Sequence, residues 1–127
     1  MSHPIFEIVN TSTGAVSIRD KVLDQVMHPV GPWVEANALY VDQSGLKLKL
    51  QKKGEGELVL FDVGLGAAAN ALAAIACAKT LGSERRPLRI VSFDRTLEML
   101  GFALTHSARF EHFRGYEGVL ERILKEG

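Results

Sequence analysis

Apolar and polar positions follow different rules in successive parts of this chain. Phe6 to Val9 is a short β-run, "NTSTG" at 10–14 supplies turn residues, and "AVSIRD" at 15–20 partly alternates. Together they predict an N-terminal β-hairpin. "MHPVGPW", 27–33, carries two prolines and a glycine and predicts a loop. Residues 34–50 fit two patterns. Val34, Ala38, Val41, Gly45 and Leu48 fall at helical spacing, whereas "LYV", a "DQSG" turn and the alternating "LKLKL" suit a hairpin. Helix is the reading adopted.

A polar connection at 52–57 leads into "LVLFDV", 58–63, a compact apolar run that predicts a buried parallel strand. Residues 67–81 are alanine-rich and predict a helix able to lie close against a sheet, stopped by "LGSERRP" at 81–87. "LRIVSF", 88–93, is a second β-run. The link between the two runs is long enough for a crossover helix, which predicts a right-handed parallel βαβ unit. Leu97, Leu100 and Leu104 predict a helix over 95–105. Tyr116, Val119, Leu120, Ile123 and Leu124 form an amphipathic stripe over 116–124, with Glu117 and Lys125 placed to suit the helix dipole. "ARFEHF", 108–113, is at most a short edge strand. The fold class is α/β, read as a hairpin and helical lead-in over 1–57 and a βαβ-centred unit over 58–127.

Composition narrows the class. The chain has 127 residues, a length suited to one domain, and 46% hydrophobic residues, enough for a packed core. Lys+Arg and Asp+Glu are equal at 15 each, so no net charge draws it to nucleic acid or anionic membrane. The single cysteine, Cys77, permits no intrachain disulfide, and Glu7 interrupts the first apolar run. A cytoplasmic protein without a leader or membrane span is expected.

The candidate chemistry lies after the first parallel strand, at Asp62-Val63-Gly64-Leu65-Gly66-Ala67-Ala68-Ala69-Asn70. Glycines there let backbone approach a ligand and permit positive φ. The following helix turns its free N–H groups toward the same space. Asp94, after the second strand, can accept both hydroxyls of a ribose. Three readings stand open. Gly64-x-Gly66-x-x-Ala69 satisfies the loose dinucleotide pattern of an NAD-type site. Asp62 with the glycines suits S-adenosylmethionine, whose sulfonium and ammonium favour an acid where a pyrophosphate would not. A plain strand-to-helix turn needs no ligand at all.

"TSTGAVSIRD", "MHPVGPWVEANALYV", "LVLFDVGLGAAANALAA" and "RPLRIVSFD", in that order, resemble the methyltransferase domain of the bacterial tRNA 5-methylaminomethyl-2-thiouridine methyltransferases. The resemblance covers roughly 8–100. The family's E/D-x-G-x-G-x-G-x-N turn is matched by Asp62, Gly64, Gly66 and Asn70, with Ala68 at the third glycine. It implies a partial Rossmann-like methyltransferase fold, S-adenosylmethionine as cofactor, Asp62 at its methionine end, Asp94 on its ribose, and an amine of a tRNA wobble uridine as acceptor. The family's later strands and acceptor loop have no counterpart after Asp94. An incomplete enzyme is therefore expected, with an unpaired strand edge that favours self-association. No catalytic residue can be named. The competing class is a non-catalytic α/β half-domain serving assembly.

Other residues point less sharply. His3, His28, His106 and His112 are scattered and read as surface histidines, without metal-ligand spacing. Cys77 reads as a buried structural thiol. Arg85 and Arg86 read as a solvated loop pair, with phosphate contact to tRNA as the alternative. Trp33, Asn37 and Tyr40 read as core packing ahead of a role in shaping a pocket.

Overall fold

The computed structural model describes residues 2–52 and 54–127; Lys53, inside the predicted polar connection, lies outside the described residues. The N-terminal hairpin is present as β1 (Phe6–Asn10) and β2 (Val16–Asp20), antiparallel with Ile8 opposite Ile18. A third strand, β3 (Gln25–Met27), joins β2. Three residues are too few to show alternation, so β3 is absent from the hydrophobic pattern. Its turn is built by Asp20, whose Oδ1 accepts the Val22 and Leu23 N–H groups at 2.8 and 2.9 Å.

Residues 32–51 are helical in three pieces: α1 (Pro32–Ala36), a π-helical stretch Asn37–Gln43, and α2 (Leu46–Gln51). "LKLKL" is helix rather than strand because Leu46 and Leu50, four apart, are both buried, while Leu48 is exposed. The βαβ unit follows: β4 (Leu58–Val63), α3 (Ala69–Thr80) and β5 (Leu88–Phe93), with β4 and β5 parallel and Asp62 opposite Ser92. Among the described residues this sheet has two strands. α4 (Glu98–Thr105) and α5 (Glu117–Glu126) complete the chain. "ARFEHF" is not an edge strand but part of two 3₁₀ turns, Ser107–Arg109 and Glu111–Phe113, which bury Phe110, His112 and Phe113.

Small side chains place α3 at the centre. Ala69 and Ala73 pack with Ala36 of α1, Ala74 and Ala78 with Leu46 and Leu50 of α2, and Leu72 with Leu100, Phe113 and Leu120. The same main core takes in Phe6 and Ile18, so 1–57 and 58–127 share one apolar interior.

The strand predicted as buried on both faces is covered on one. Leu58, Leu60 and Asp62 turn inward, but Val59, Phe61 and Val63 are 42%, 64% and 79% exposed, and Phe93 is 51% exposed. The Phe61 and Phe93 rings lie 6.1 Å apart on this bare face. None of these four side chains joins a packed core cluster, which leaves an apolar surface of the kind that marks an interaction site.

Candidate functional site

The parallel register sets the geometry. Gly64 N–H donates to the Phe93 carbonyl at 2.6 Å, and Leu65 N–H reaches the same oxygen at 3.3 Å. The turn leaving β4 is thereby fastened to the end of β5. Gly64 has φ +85° with open space where a Cβ would stand, and Gly66 has φ +53° with the Met99 Sδ 3.5 Å from that position. Both conformations favour glycine.

The structure brings Asp94 to this turn. Its Oδ2 accepts the Gly66 N–H at 2.9 Å and its Oδ1 accepts the Arg95 N–H at 2.7 Å. The carboxylate remains exposed, and each oxygen has a second lone pair for another donor. Ala68, at the family's third glycine, has φ +64° and is buried. It takes the left-handed conformation a glycine would adopt freely, and its carbonyl accepts the Leu72 N–H at 2.9 Å to start α3. Asn70, on the first turn of α3, lines a cavity of about 280 Å³ together with Gly64 and Gly66. Ser17, Ile18, Met27 and His28 of the N-terminal sheet and loop form its other wall.

Asp62 is 1% exposed. Its Oδ2 accepts the Ser92 hydroxyl at 2.9 Å, and its Oδ1 is buried without a hydrogen-bond partner. Burial pushes its pKa up; the Ser92 hydrogen bond opposes that rise and the negative charge of Asp94 adds to it. The native state thus holds a proton on Asp62 more tightly than the unfolded chain does. Stability contributed by this group is present at low pH and is lost as pH rises from the ordinary carboxylate range through the raised value. Asp62→Asn, which cannot ionise, is expected to be more stable than wild type at neutral pH. The gain should vanish below pH ~4. Urea unfolding of both proteins across that range checks it.

Several contacts here had weak sequence signals. Ser92 is found only once the strands are put in register. His112 is not a surface histidine: it is 4% exposed, its Nε2 lies 3.2 Å from the Ala67 carbonyl, and its ring stacks on Trp33 at 6.1 Å. Its position between Phe110 and Phe113 was the available sign of burial. Desolvation lowers its pKa to about 4, opposed by the Ala67 hydrogen bond and assisted by the charge of His28. The ring is therefore neutral, with Nε2–H donating to Ala67 and holding the glycine turn from behind. His28 has φ +54°, and its Nδ1 lies 3.9 Å from the Glu35 Oε1.

Trp33 packs against the main core, and Asn37 Nδ2 donates to the Trp33 carbonyl at 2.9 Å. Cys77 is half-buried rather than fully buried, and burial raises its thiol pKa. Arg85 and Arg86 are half-buried rather than free loop side chains: both guanidinium groups are bound to backbone carbonyls. No three His, Cys, Asp or Glu side chains among the described residues form a metal-holding group. No described helix is long and apolar enough to cross a membrane.

The fold and site define a mixed α/β protein with a parallel βαβ unit and a glycine turn flanked by two acids. No protein-family model, curated protein or solved structure matches the chain.

Proposed function

We propose that the turn between β4 and α3 binds S-adenosylmethionine and that the chain belongs to a Rossmann-like methyltransferase acting on an amine of a tRNA base. The observation that carries this reading is the buried Asp62 Oδ1, which lacks a partner beside Gly64-x-Gly66. The charge of Asp62 lies behind the turn, where it favours a cationic ligand. A pyrophosphate is disfavoured, because it would add negative charge next to Asp62 and Asp94.

S-adenosylmethionine supplies an electrophilic methyl group on a sulfonium. The chain's own part is placement. Asp62 would balance the ligand's positive charge, Gly64 and Gly66 leave room for close approach, and the free lone pairs of Asp94 would accept ribose hydroxyls. Asn70 lines the adjoining cavity, and Ala68 starts the helix behind it. Such a site works by proximity and exclusion of water.

Thermal unfolding with added S-adenosylhomocysteine tests the proposal. At a hundred times Kd the ligand should stabilise the fold by about 2.7 kcal/mol. NADH at the same concentration should leave the midpoint unchanged. Stabilisation by NADH alone would transfer the site to the dinucleotide class.

The bare sheet face favours a second, assembly role. Val59, Phe61 and Val63 also turn their backbone groups to the open side of β4, so an apolar face and an unpaired edge coincide. Self-association through this edge is expected to appear in light scattering as a mass that rises with concentration. A monomer at high concentration would remove this second role and leave the cofactor reading untouched.

A further inference from the structure

The outer edge of β5 is also open, and its setting differs from that of β4. Leu58 N–H donates to the Pro87 carbonyl at 2.8 Å and Gly64 N–H to the Phe93 carbonyl at 2.6 Å. In a parallel ladder alternate residues share one side. Pro87, Arg89, Val91 and Phe93 therefore face β4, while Leu88, Ile90 and Ser92 direct their N–H and C=O groups outward. No other strand pairs with them among the described residues.

That edge forms one wall of a cavity of about 700 Å³. Leu72 and Ile75 of α3 form a second wall, and Leu120 and Ile123 of α5 a third. The groove is thus apolar on its helical side and carries unsatisfied backbone donors and acceptors on its strand side. A purely apolar ligand would cover the helices but leave the backbone groups unpaired, at a cost in free energy. An extended polypeptide meets both demands at once, because its backbone pairs with the edge while alternate side chains enter the apolar wall.

The charges at the rim specify the other side chains. Arg89 is 65% exposed and its ion contact, to Glu57, is a long 3.9 Å. Arg95 is exposed and forms no ion pair among the described residues. Asp94 shares the rim and offsets one of the two arginines. The rim is net positive. A second copy of β5 would bring another arginine to it, which disfavours self-pairing here.

We infer that the groove between β5, α3 and α5 accepts an extended peptide strand with alternating apolar and acidic residues, supplied by a partner protein. This inference does not depend on the cofactor reading.

Fluorescence anisotropy with short labelled peptides tests it. The probes are a Val-Glu alternating peptide, its Val-Lys counterpart, and a Val-Glu version N-methylated at alternate amides on the pairing edge. The Val-Glu peptide should bind saturably, and the Val-Lys peptide about tenfold more weakly. The N-methylated peptide should not bind. Arg89→Glu, an exposed substitution, should invert the charge preference, while S-adenosylhomocysteine binding by the same variant reports separately on the cofactor site. Absence of Val-Glu binding, equal binding of the N-methylated peptide, or indifference to the Arg89 change would each overturn the inference. Competition by dodecanoate together with indifference to N-methylation would show a lipid-type pocket instead.

Discussion

Arg86→Ala should lower the stability of the fold by about 3 kcal/mol, read as a shift in the urea midpoint. Nothing about a charged loop residue suggests so large an effect; the contacts do. The Arg86 side chain is only 12% exposed and its Nη1 lies 3.1 Å from Glu55 Oε2. Its Nε donates to the Gly56 carbonyl at 2.8 Å, and Nη1 and Nη2 reach the Lys49 and Glu57 carbonyls at 3.4 and 3.3 Å. Its own N–H donates to Leu50 at 2.8 Å. One guanidinium therefore ties the end of α2 to the approach to β4, and removing it leaves several carbonyls without a donor. Arg86→Lys should recover only part of the loss, because an ammonium cannot present the same fork. A change of less than about 0.5 kcal/mol, the level of an ordinary surface substitution, would show that the clamp is absent in solution.

The second large effect is a pH dependence. His112 is neutral in the folded chain, with its pKa lowered from 6.5 to about 4 by burial. The unfolded chain accepts a proton more readily, so stability contributed by this group is full above about pH 6.5. It falls as pH drops toward 4, by about 3 kcal/mol in total. His112→Gln can still donate to the Ala67 carbonyl but does not titrate. The stability difference between wild type and His112→Gln, followed from pH 7 to 4, should therefore move against wild type by that amount. A constant difference would mean that His112 is exposed in solution. Asp62 works in the opposite direction from pH ~4 upward, so the two variants separate the two groups.

The hydrophobic pattern was sufficient for the long elements. Leu58–Val63 and Leu88–Phe93 are strands, and α3, α4 and α5 fall within a few residues of their predicted bounds, because the strands are compact apolar runs bounded by turn residues, α3 is an uninterrupted alanine-rich run, and α4 and α5 carry apolar positions at helical spacing. What the pattern lacked was information about neighbours. Gln25–Met27 is a strand only because β2 lies beside it; the Ser17 hydroxyl, for example, bonds to the Met27 carbonyl. β4 has the composition of a strand covered on both faces, yet what covers a face is set by other segments, and Phe61 and Val63 meet none.

The candidate site divides in the same way. Asp62, Gly64, Gly66 and Asp94 were legible because each stands at the end of an apolar run or in the turn just after it, a signal that is local in sequence. The structure gathers them through the Gly66–Asp94 hydrogen bond and the anchoring of Gly64 on Phe93. Ser92, His112 and Trp33 reach the turn or its support across distances of 30 residues or more. No local pattern encodes such contacts. Ala68 was noted as a departure from glycine, but its left-handed backbone is a property of the folded turn.

Isothermal titration of S-adenosylhomocysteine into wild type and Asp94→Ala tests the central claim most directly. The predicted result is saturable one-to-one binding by wild type that is lost in Asp94→Ala, while circular dichroism shows both proteins folded. Absence of binding to folded wild type, or equal binding by the two proteins, would contradict the assignment of this turn to S-adenosylmethionine.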